Sequence, residues 1–409
     1  MLPSPELIER GLSAATERFA AELVRPRSGA PAWTGFEWQM ARAAAVLHGI
    51  TPLLATTLQW PGPASWRAFA LEQRRQTLLR HGRIAAVLKH IDDRASEQGL
   101  AVVALKGAAL HAVGVYSAGE RPMADIDLLV RPADAQRAAD MLATIGYAQT
   151  WMIWKHGIFE PARAGGNAAT ALPIGEHQDN PIKIDLHTRI TERLPLAETD
   201  ITELVFPLHP KPGFNPYPST NALLLHLLLH AAGNMSARAL RLMHLHDIAR
   251  LAARMSPDEW HELLGTRSTP TARWWALAPL ELVNRYQPGL LPAQVLAALR
   301  RACPGALGRL SRSANLSEMS YASLSIPAFP GLPWCRSLSE RRRYVWQRVL
   351  PSREHAVSRN LIAAEQWATP HPWMHMSQGR RILHWLFRRP SRQASMYIVR
   401  AVLDNPLPT

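Results

Sequence analysis

Hydrophobic and polar residues recur with different periods along the chain, and the period changes near residues 100 and 206. Before residue 100, apolar residues return every three or four positions, which is typical of amphipathic helices. Between 100 and 206, short apolar runs alternate with turns, and from 219 onward the helical period returns. The pattern therefore predicts an α+β fold, in which a small mixed β-sheet core is flanked by N-terminal and C-terminal helical domains.

The same pattern predicts individual elements. Helices are expected at 5–24, 36–58, 66–98, 108–115, 132–146, 220–232, 237–255, 257–264, 272–286 and 292–303, and again from 336 to about 403. Strands are expected at 101–105, 123–130, 147–154, 158–161 and 182–190. The Gly-, Ala- and Asn-rich stretch 162–180 is interpreted as a loop, and 304–335 as a long connector.

Glycine and proline indicate where the chain divides into domains. Gly99 follows the last N-terminal helix as a C-cap signal, and the Pro-rich segment 207–218 reads as a linker. We therefore predict four regions. They are an N-terminal helical region (1–99), an α/β core (100–206), a helical domain (207–310) and a basic C-terminal helical region (311–409).

Two aspartates alternate with an isoleucine in the apolar run 123–130. Because strand residues two apart point to the same face, Asp125 and Asp127 should present their carboxylates together while Ile126 faces a core. Paired carboxylates on a buried strand are costly unless a cation binds them, and a hard, all-oxygen site favours Mg²⁺. The alternative interpretation is a polar strand end at the rim of the sheet.

A third aspartate, Asp185, lies in another alternating run at 182–187. If this strand pairs beside the first, three carboxylates converge around two Mg²⁺ ions, an arrangement that suits nucleotidyl or phosphoryl transfer. Asp185 is then the third metal ligand and a candidate general base. Alternatively, Asp185 lies on an edge strand with Lys183 as its partner. His187 either orients Asp185, contacts a nucleotide or is a structural histidine.

The order of these motifs resembles a known family. An apolar strand ending in Lys106-Gly107, then Asp125–Val130, then Asp185–His187 is similar to the uncharacterised bacterial nucleotidyltransferase family of the DNA polymerase β-like superfamily. Segments 133–147 and 221–251 resemble the helices that follow in that family. The resemblance implies a nucleotidyltransferase core that binds an NTP such as ATP, with Asp125, Asp127 and Asp185 as metal ligands and catalytic residues.

Three residues near the first strand are candidates for nucleotide binding. Lys106 is expected either to contact the β- or γ-phosphate or to pair with an acid at the sheet rim. Gly107 either lets the backbone approach a phosphate or forms an ordinary turn. Arg121, which matches an arginine often present in the family, either neutralises departing pyrophosphate or is a surface residue. The superfamily usually has Gly-Ser or Gly-Gly where this chain has Lys106-Gly107-Ala108, so Lys106 would act as a point charge.

Histidines recur in the helical region after the core. His226 and His230 are four residues apart and share a helix face, and the run 244–247 ends in an aspartate. An HD-type phosphohydrolase would use such residues as metal ligands, but the leucine-rich spacing favours a packed core. Arg241 and Asp247 are expected to form a buried pair that closes the helical domain over the nucleotide.

The formal charge of +14 and the isoelectric point of about 10.6 favour a polyanionic partner. An equally weighted alternative is an arginine-rich composition spread over solvated faces. Arginine is densest at 336–348 and 378–392, where aromatic residues are interleaved. Those segments suit either stacked bases or amphipathic helices docked on a core, and docked helices are favoured.

Composition also bears on location. No apolar run of about 18 residues is present, which argues against a membrane span or a membrane partner. The first residues lack the apolar core of a secretory signal, and two cysteines, Cys303 and Cys335, do not form a disulfide framework. A cytoplasmic protein is expected.

These features predict a metal-dependent nucleotidyltransferase that transfers an NMP from an NTP to an acceptor and releases pyrophosphate. The acceptor is a small molecule, a peptide or a protein. Alternatives are a toxin-type enzyme that modifies the 3′ end of tRNA, a catalytically silent module that binds nucleotide or RNA, and an HD-like hydrolase.

Overall fold

Across the described residues, a mixed six-stranded sheet is covered by helices on both faces, and the first helices of the chain pack in the same core as the helices that follow the sheet. The computed structural model describes residues 2–153, 155–162, 174–265, 273–351, 376–387 and 392–405. The architecture confirms the predicted α+β class, with a small mixed sheet flanked by helices on both sides.

The helices before the sheet are α1 (Pro5–Glu22), α2 (Gly35–Leu47), α3 (Thr51–Thr57) and α4 (Ala64–Glu97). The strands of the sheet are β1 (Ala101–Ala104), β2 (Asp125–Leu129), β3 (Tyr147–Met152), β4 (His156–Pro161), β5 (Lys183–His187) and β8 (Gly213–Asn215). Their spatial order is β3-β4-β5-β2-β1-β8. A separate hairpin is formed by β6 (Thr191–Arg193) and β7 (Glu198–Asp200).

Shorter helices connect the strands, and longer ones follow the sheet. The connecting helices are α5 (Lys106–Ala112), α6 (Ala135–Thr144) and α7 (Thr202–Val205). Those that follow are α8 (Thr220–Ser236), α9 (Leu242–Ala252), α10 (Pro257–Leu264), α11 (Leu277–Tyr286), α12 (Ala293–Ala302), α13 (Gly305–Ser313), α14 (Leu316–Met319), α15 (Leu338–Val349), α16 (Gln378–Phe387) and α17 (Gln393–Asp404). Among the described helices, none combines the length and hydropathy that crossing a bilayer requires.

Several predicted elements differ from those observed. The single helix expected at 36–58 is two helices, because the chain turns at Gly49 with a φ of +66°. The helix expected from 237 begins only at Leu242, since Arg238 has a φ of +58° and Leu240 bridges to Ser320. The connector expected at 304–335 contains α13 and α14. Residues 163–173, in the predicted loop, lie outside the described residues.

The segment 207–218, interpreted from its prolines as a linker, contains the edge strand β8. This strand pairs in parallel with β1, and the Gly213 N–H donates to the Leu100 carbonyl oxygen at 2.8 Å. Three residues are too few to show a strand period in the sequence. The sheet therefore continues beyond residue 206, where the predicted core ends.

The two faces of the sheet have different surroundings. On one face, Ile126 and Leu128 of β2 are fully buried in a cluster with residues of α4 and α6. Leu129 belongs to the other cluster, which includes most of the buried leucines of α8. Because strand side chains alternate, Asp125 and Asp127 share the face of Leu129 and point toward the helices that follow the sheet.

A buried arginine on α4 joins the beginnings of β2 and β5. The Arg80 side chain is 3% exposed, and its Nε lies 3.4 Å from a carboxylate oxygen of Glu176. Its guanidinium donates to backbone oxygens just before the two strands, those of Met123 (3.2 Å), Ala124 (3.0 Å), Asn180 and Pro181 (3.1 Å). One side chain thus fixes the spacing of the two strands that carry the aspartates.

Arg80→Met should lower the free energy of unfolding by about 3–5 kcal/mol, because four carbonyls lose a donor and Glu176 is left as a buried, unpaired carboxyl. Urea denaturation followed by circular dichroism measures this. The matched control is Arg75→Met on the same helix, where an arginine that is 57% exposed pairs with Glu72 at 2.7 Å. Because that pair is exposed to solvent, its loss should change the free energy of unfolding little. Equal losses in the two variants would show that Arg80 does not hold the strands.

Candidate active site

The three aspartates meet on one face of the sheet. Strands β2 and β5 are adjacent and parallel, with Asp127 directly opposite Asp185 and Asp125 opposite Lys183. Neighbouring strands lie roughly 4.8 Å apart, and Asp125 is two positions before Asp127 on the same face. The pairing of these two strands, on which the three-carboxylate prediction depends, is present.

Asp127 is neutralised by two neighbours. Its Oδ1 lies 2.7 Å from Lys106 Nζ and 3.1 Å from His187 Nε2, and the residue is 6% exposed. Burial opposes ionisation, but Lys106 and His187 together hold the pKa of Asp127 well below its usual range. Burial lowers the pKa of His187, so its ring is neutral and its Nε2–H donates to the carboxylate. Of the two roles expected for Lys106, the structure shows the pairing with an acid.

Asp125 has no compensating partner among the described residues. It opens onto a cavity whose walls desolvate the carboxyl group, and the charges of Asp127 and Asp185 add repulsion. Together these effects raise the pKa of Asp125 to about 6, although Lys106 and Arg241 oppose the shift. The carboxyl group is therefore poised to gain a cation.

Asp185 lies beside a histidine on the neighbouring strand. His156 Nε2 lies 2.9 Å from Asp185 Oδ2, and strand pairing sets His156 opposite His187, with ring centroids 4.5 Å apart. Sequence reasoning missed His156, because it lies 29 positions before Asp185 in a run with no motif of its own. Only the antiparallel pairing of β4 with β5 brings it to the site.

The donor set fits a divalent cation. Three carboxylates converge on one face, and the described residues leave Asp125 without a partner. Oxygen donors of this kind suit Mg²⁺. Ligand atoms of His156, Asp185 and His187 lie within 4.8 Å of one another, so a nitrogen-containing metal site is also possible beside Asp185.

A cavity of about 470 Å³ opens between this face and the helices α8 and α9. Its volume lies within the range of small-ligand sites, roughly 300–1,000 Å³. Lys106, Gly107, Asp125 and Asp127 line one wall. The opposite wall carries residues of the helical part, among them His230, Asn234, Arg241 and His244.

Gly107 lies where no side chain fits. A Cβ at this position would lie 2.9 Å from Met123 Cγ and would collide with a guanidinium nitrogen of Arg121. The preceding residue, Lys106, has a φ of +45°, an uncommon conformation for a residue with a side chain. The glycine is therefore needed for packing at the cavity wall, and its contact with a phosphate stays a prediction.

Arg121 is not a surface residue. Its side chain is 10% exposed and donates two hydrogen bonds to Asp247 of α9, at 2.8 and 2.7 Å. The expected pair of Arg241 and Asp247 is therefore wrong, because Arg121 takes the carboxylate. The observed pair joins the sheet region to α9 and commits the Arg121 charge to Asp247.

A comparison with protein families identifies one match. The profile of a family described as an uncharacterised nucleotidyltransferase matches residues 34–287. The chain belongs to this nucleotidyltransferase family. The matched range includes the whole sheet, the three aspartates and α8 to α10. No curated protein and no solved structure matched the chain. The bacterial origin and the DNA polymerase β-like superfamily stay predictions.

The helical histidines of this nucleotidyltransferase pair with tyrosines. His226 Nδ1 lies 2.7 Å from the Tyr217 hydroxyl, and His246 Nδ1 lies 2.8 Å from the Tyr116 hydroxyl. Burial lowers the pKa of both histidines, that of His246 to about 4, so both rings are neutral. Within the described ranges, the helical histidines do not form a group of three ligand-type residues whose ligand atoms lie within 4.8 Å of one another, as His156, Asp185 and His187 do, which argues against an HD-type metal site.

Without a bound metal ion, Asp125→Asn should raise the melting temperature at pH 7, by less than the pKa shift alone implies, because Asp125 is exposed to the cavity. The folded protein keeps the Asp125 proton up to about pH 6, whereas the unfolded chain loses it near pH 4, so wild-type stability falls as pH rises through this interval. The variant lacks that loss. Its advantage should therefore grow between pH 4 and 6 and then stay constant.

Scanning calorimetry with EDTA from pH 4 to 8 measures the difference. Asp140→Asn, at an exposed carboxyl that accepts from Gln136 on α6, is the matched control and should show little change. If Asp125→Asn melts at a lower temperature than the wild type, or if its melting temperature differs by the same amount at every pH, charge repulsion at Asp125 is contradicted.

Proposed function

We propose that this protein is a metal-dependent nucleotidyltransferase that transfers an NMP from an NTP to a hydroxyl acceptor. The observation that carries the proposal is the parallel pairing of β2 and β5, which sets Asp127 beside Asp185 and places Asp125 on the same face. Membership of a nucleotidyltransferase family supports the reaction class.

Asp125, Asp127 and Asp185 would hold two Mg²⁺ ions, which would neutralise the triphosphate and lower the pKa of the acceptor hydroxyl. The acceptor oxygen attacks the α-phosphorus, the bond to the bridging oxygen of the β-phosphate breaks, and pyrophosphate leaves. Asp185 takes the hydroxyl proton, and His156, whose Nε2 lies 2.9 Å from Oδ2, orients the carboxylate.

Lys106 supports phosphate binding at the same wall. Burial opposes its charge, but the three aspartates around it raise its pKa, so the side chain stays an ammonium ion. It lines the cavity, within 2.7 Å of Asp127, where a phosphate oxygen would meet it. A lysine contributes here as a compact point charge.

The decisive experiment supplies α-labelled NTP and Mg²⁺ with a cell lysate, and measures both transferred label and released pyrophosphate. Asp127→Asn should reduce both by on the order of 10³-fold, because a metal ligand at the reacting phosphate contributes several kcal/mol. Asp140→Asn is again the control, and a circular dichroism melt shows whether each variant is folded. Wild-type protein that binds NTP but never releases pyrophosphate would instead be a silent binding module.

The acceptor is a small molecule, a peptide or protein, or RNA such as a tRNA 3′ end. The charge of +14 favours an RNA acceptor. An RNA acceptor that makes about five phosphate contacts should lose on the order of 10² in affinity between 50 and 200 mM salt. A neutral small acceptor should change little. The KM for NTP, measured in the same salt series, separates effects on the acceptor from effects on the nucleotide.

A further inference from the structure

Among the described residues, three cationic side chains line the cavity onto which Asp125 and Asp127 open, and two of them already pair with carboxylates. Lys106 pairs with Asp127 at 2.7 Å, and Arg121 makes a two-pronged contact with Asp247. The third, Arg241, has no ion pair within the chain segments that the structure describes. Among the described residues that line the cavity, it is the cation without a carboxylate partner.

The backbone that carries Arg241 is firmly anchored. Arg241 immediately precedes α9, whose first N–H groups, those of Leu242 and Met243, donate to the Nδ1 and carbonyl oxygen of His48 at 3.0 and 3.3 Å. The other ring nitrogen of His48 bonds to Thr16 Oγ1 at 3.0 Å. These amides are thus occupied, and an anion at this wall would meet the Arg241 side chain instead.

The Arg241 guanidinium packs against an aromatic ring and has no ion-pair partner among the described residues. Its central carbon lies 5.5 Å from the centroid of the Tyr321 ring, so an aromatic residue supports it. The residue is exposed to the cavity. Its positive charge lowers the pKa of Asp125 on the opposite wall, which is consistent with a position across the cavity from the carboxylates.

We infer that Arg241 binds the terminal phosphates of the NTP triphosphate. This rests on the proposed function, in which the α-phosphate lies at the three aspartates. The phosphates beyond it then extend across the cavity toward the opposite wall, where Arg241 offers a planar fork of N–H donors suited to two phosphate oxygens. Arg121, predicted from the sequence to contact pyrophosphate, becomes a positioning residue that ties α9 to the core through Asp247.

The test compares ATP with AMP, each titrated calorimetrically in Mg²⁺ without an acceptor. Arg241→Gln should weaken ATP binding about 10- to 100-fold, the loss typical of a hydrogen bond to a charged group, and AMP binding less than about threefold. Arg241→Lys keeps the charge but loses the fork, so its ATP affinity should fall about three- to tenfold.

Arg250→Gln is the matched control. Arg250 lies on α9, which Arg241 immediately precedes, and its guanidinium also lies near a tyrosine ring, 5.7 Å from that of Tyr116. It is outside the cavity and donates to the Val115 carbonyl oxygen. The affinities of the Arg250→Gln variant for ATP and AMP should match those of the wild type.

The outcomes separate this inference from the proposed function. If the wild type binds ATP and Arg241→Gln binds it with the same affinity, the role of Arg241 is overturned and the proposed enzyme class is unaffected. Equal weakening of ATP and AMP would also overturn it, since the residue would then act on the nucleoside or on the fold. If the wild-type protein binds no NTP, both the role of Arg241 and the proposed function are overturned. If Arg241→Gln does not fold, the ATP-to-AMP ratio of the lysine variant decides.

Discussion

The parallel pairing of β2 with β5 sets the carboxylates of Asp127 and Asp185 side by side, where they repel each other. The fold offsets this repulsion locally. Lys106 and His187 approach Asp127, and His156 Nε2 lies 2.9 Å from Asp185 Oδ2. Arg80 holds the two strands together from the helix behind them, so their spacing does not depend on the charges that the strands carry. Without the pairing of β2 with β5, neither the sheet wall of the cavity nor the cluster of charged side chains would form.

The repulsion among the aspartates is not fully offset, and the carboxylate that remains without a partner among the described residues, Asp125, lines the cavity. The pKa of Asp125 is raised to about 6 because its surroundings supply two negative neighbours and no direct cationic partner among the described residues. Perturbed carboxyl groups of this kind cluster at functional sites, where stability is given up for ligand binding. A purely structural cluster would be expected to pair this last carboxylate as well.

The aspartates could be predicted from the sequence because strand alternation is local. Asp125 and Asp127 flank Ile126, and Asp185 lies in a run of the same period, so the face of each carboxylate follows from the spacing alone. His156 and Arg80 could not be predicted in this way. His156 reaches Asp185 only through strand pairing, and Arg80 contacts a carbonyl 100 positions away. The prediction that Arg241 pairs with Asp247 was wrong for the same reason, since the observed partner, Arg121, lies 126 positions away in the sequence.

The two walls of the cavity differ in the kind of interaction they offer. The sheet wall holds charged groups close together, whereas the helical wall presents His230 and His244, whose pKa values burial lowers well below the usual range. These rings are neutral near pH 7, so they offer hydrogen bonds without charge. Arg241 is therefore the main unpaired charge among the described residues of that wall, and the Arg121–Asp247 pair fixes the helix that Arg241 immediately precedes. A ligand that spans the cavity must carry negative charge at the end that meets Arg241, and a triphosphate extended from the aspartates satisfies that requirement.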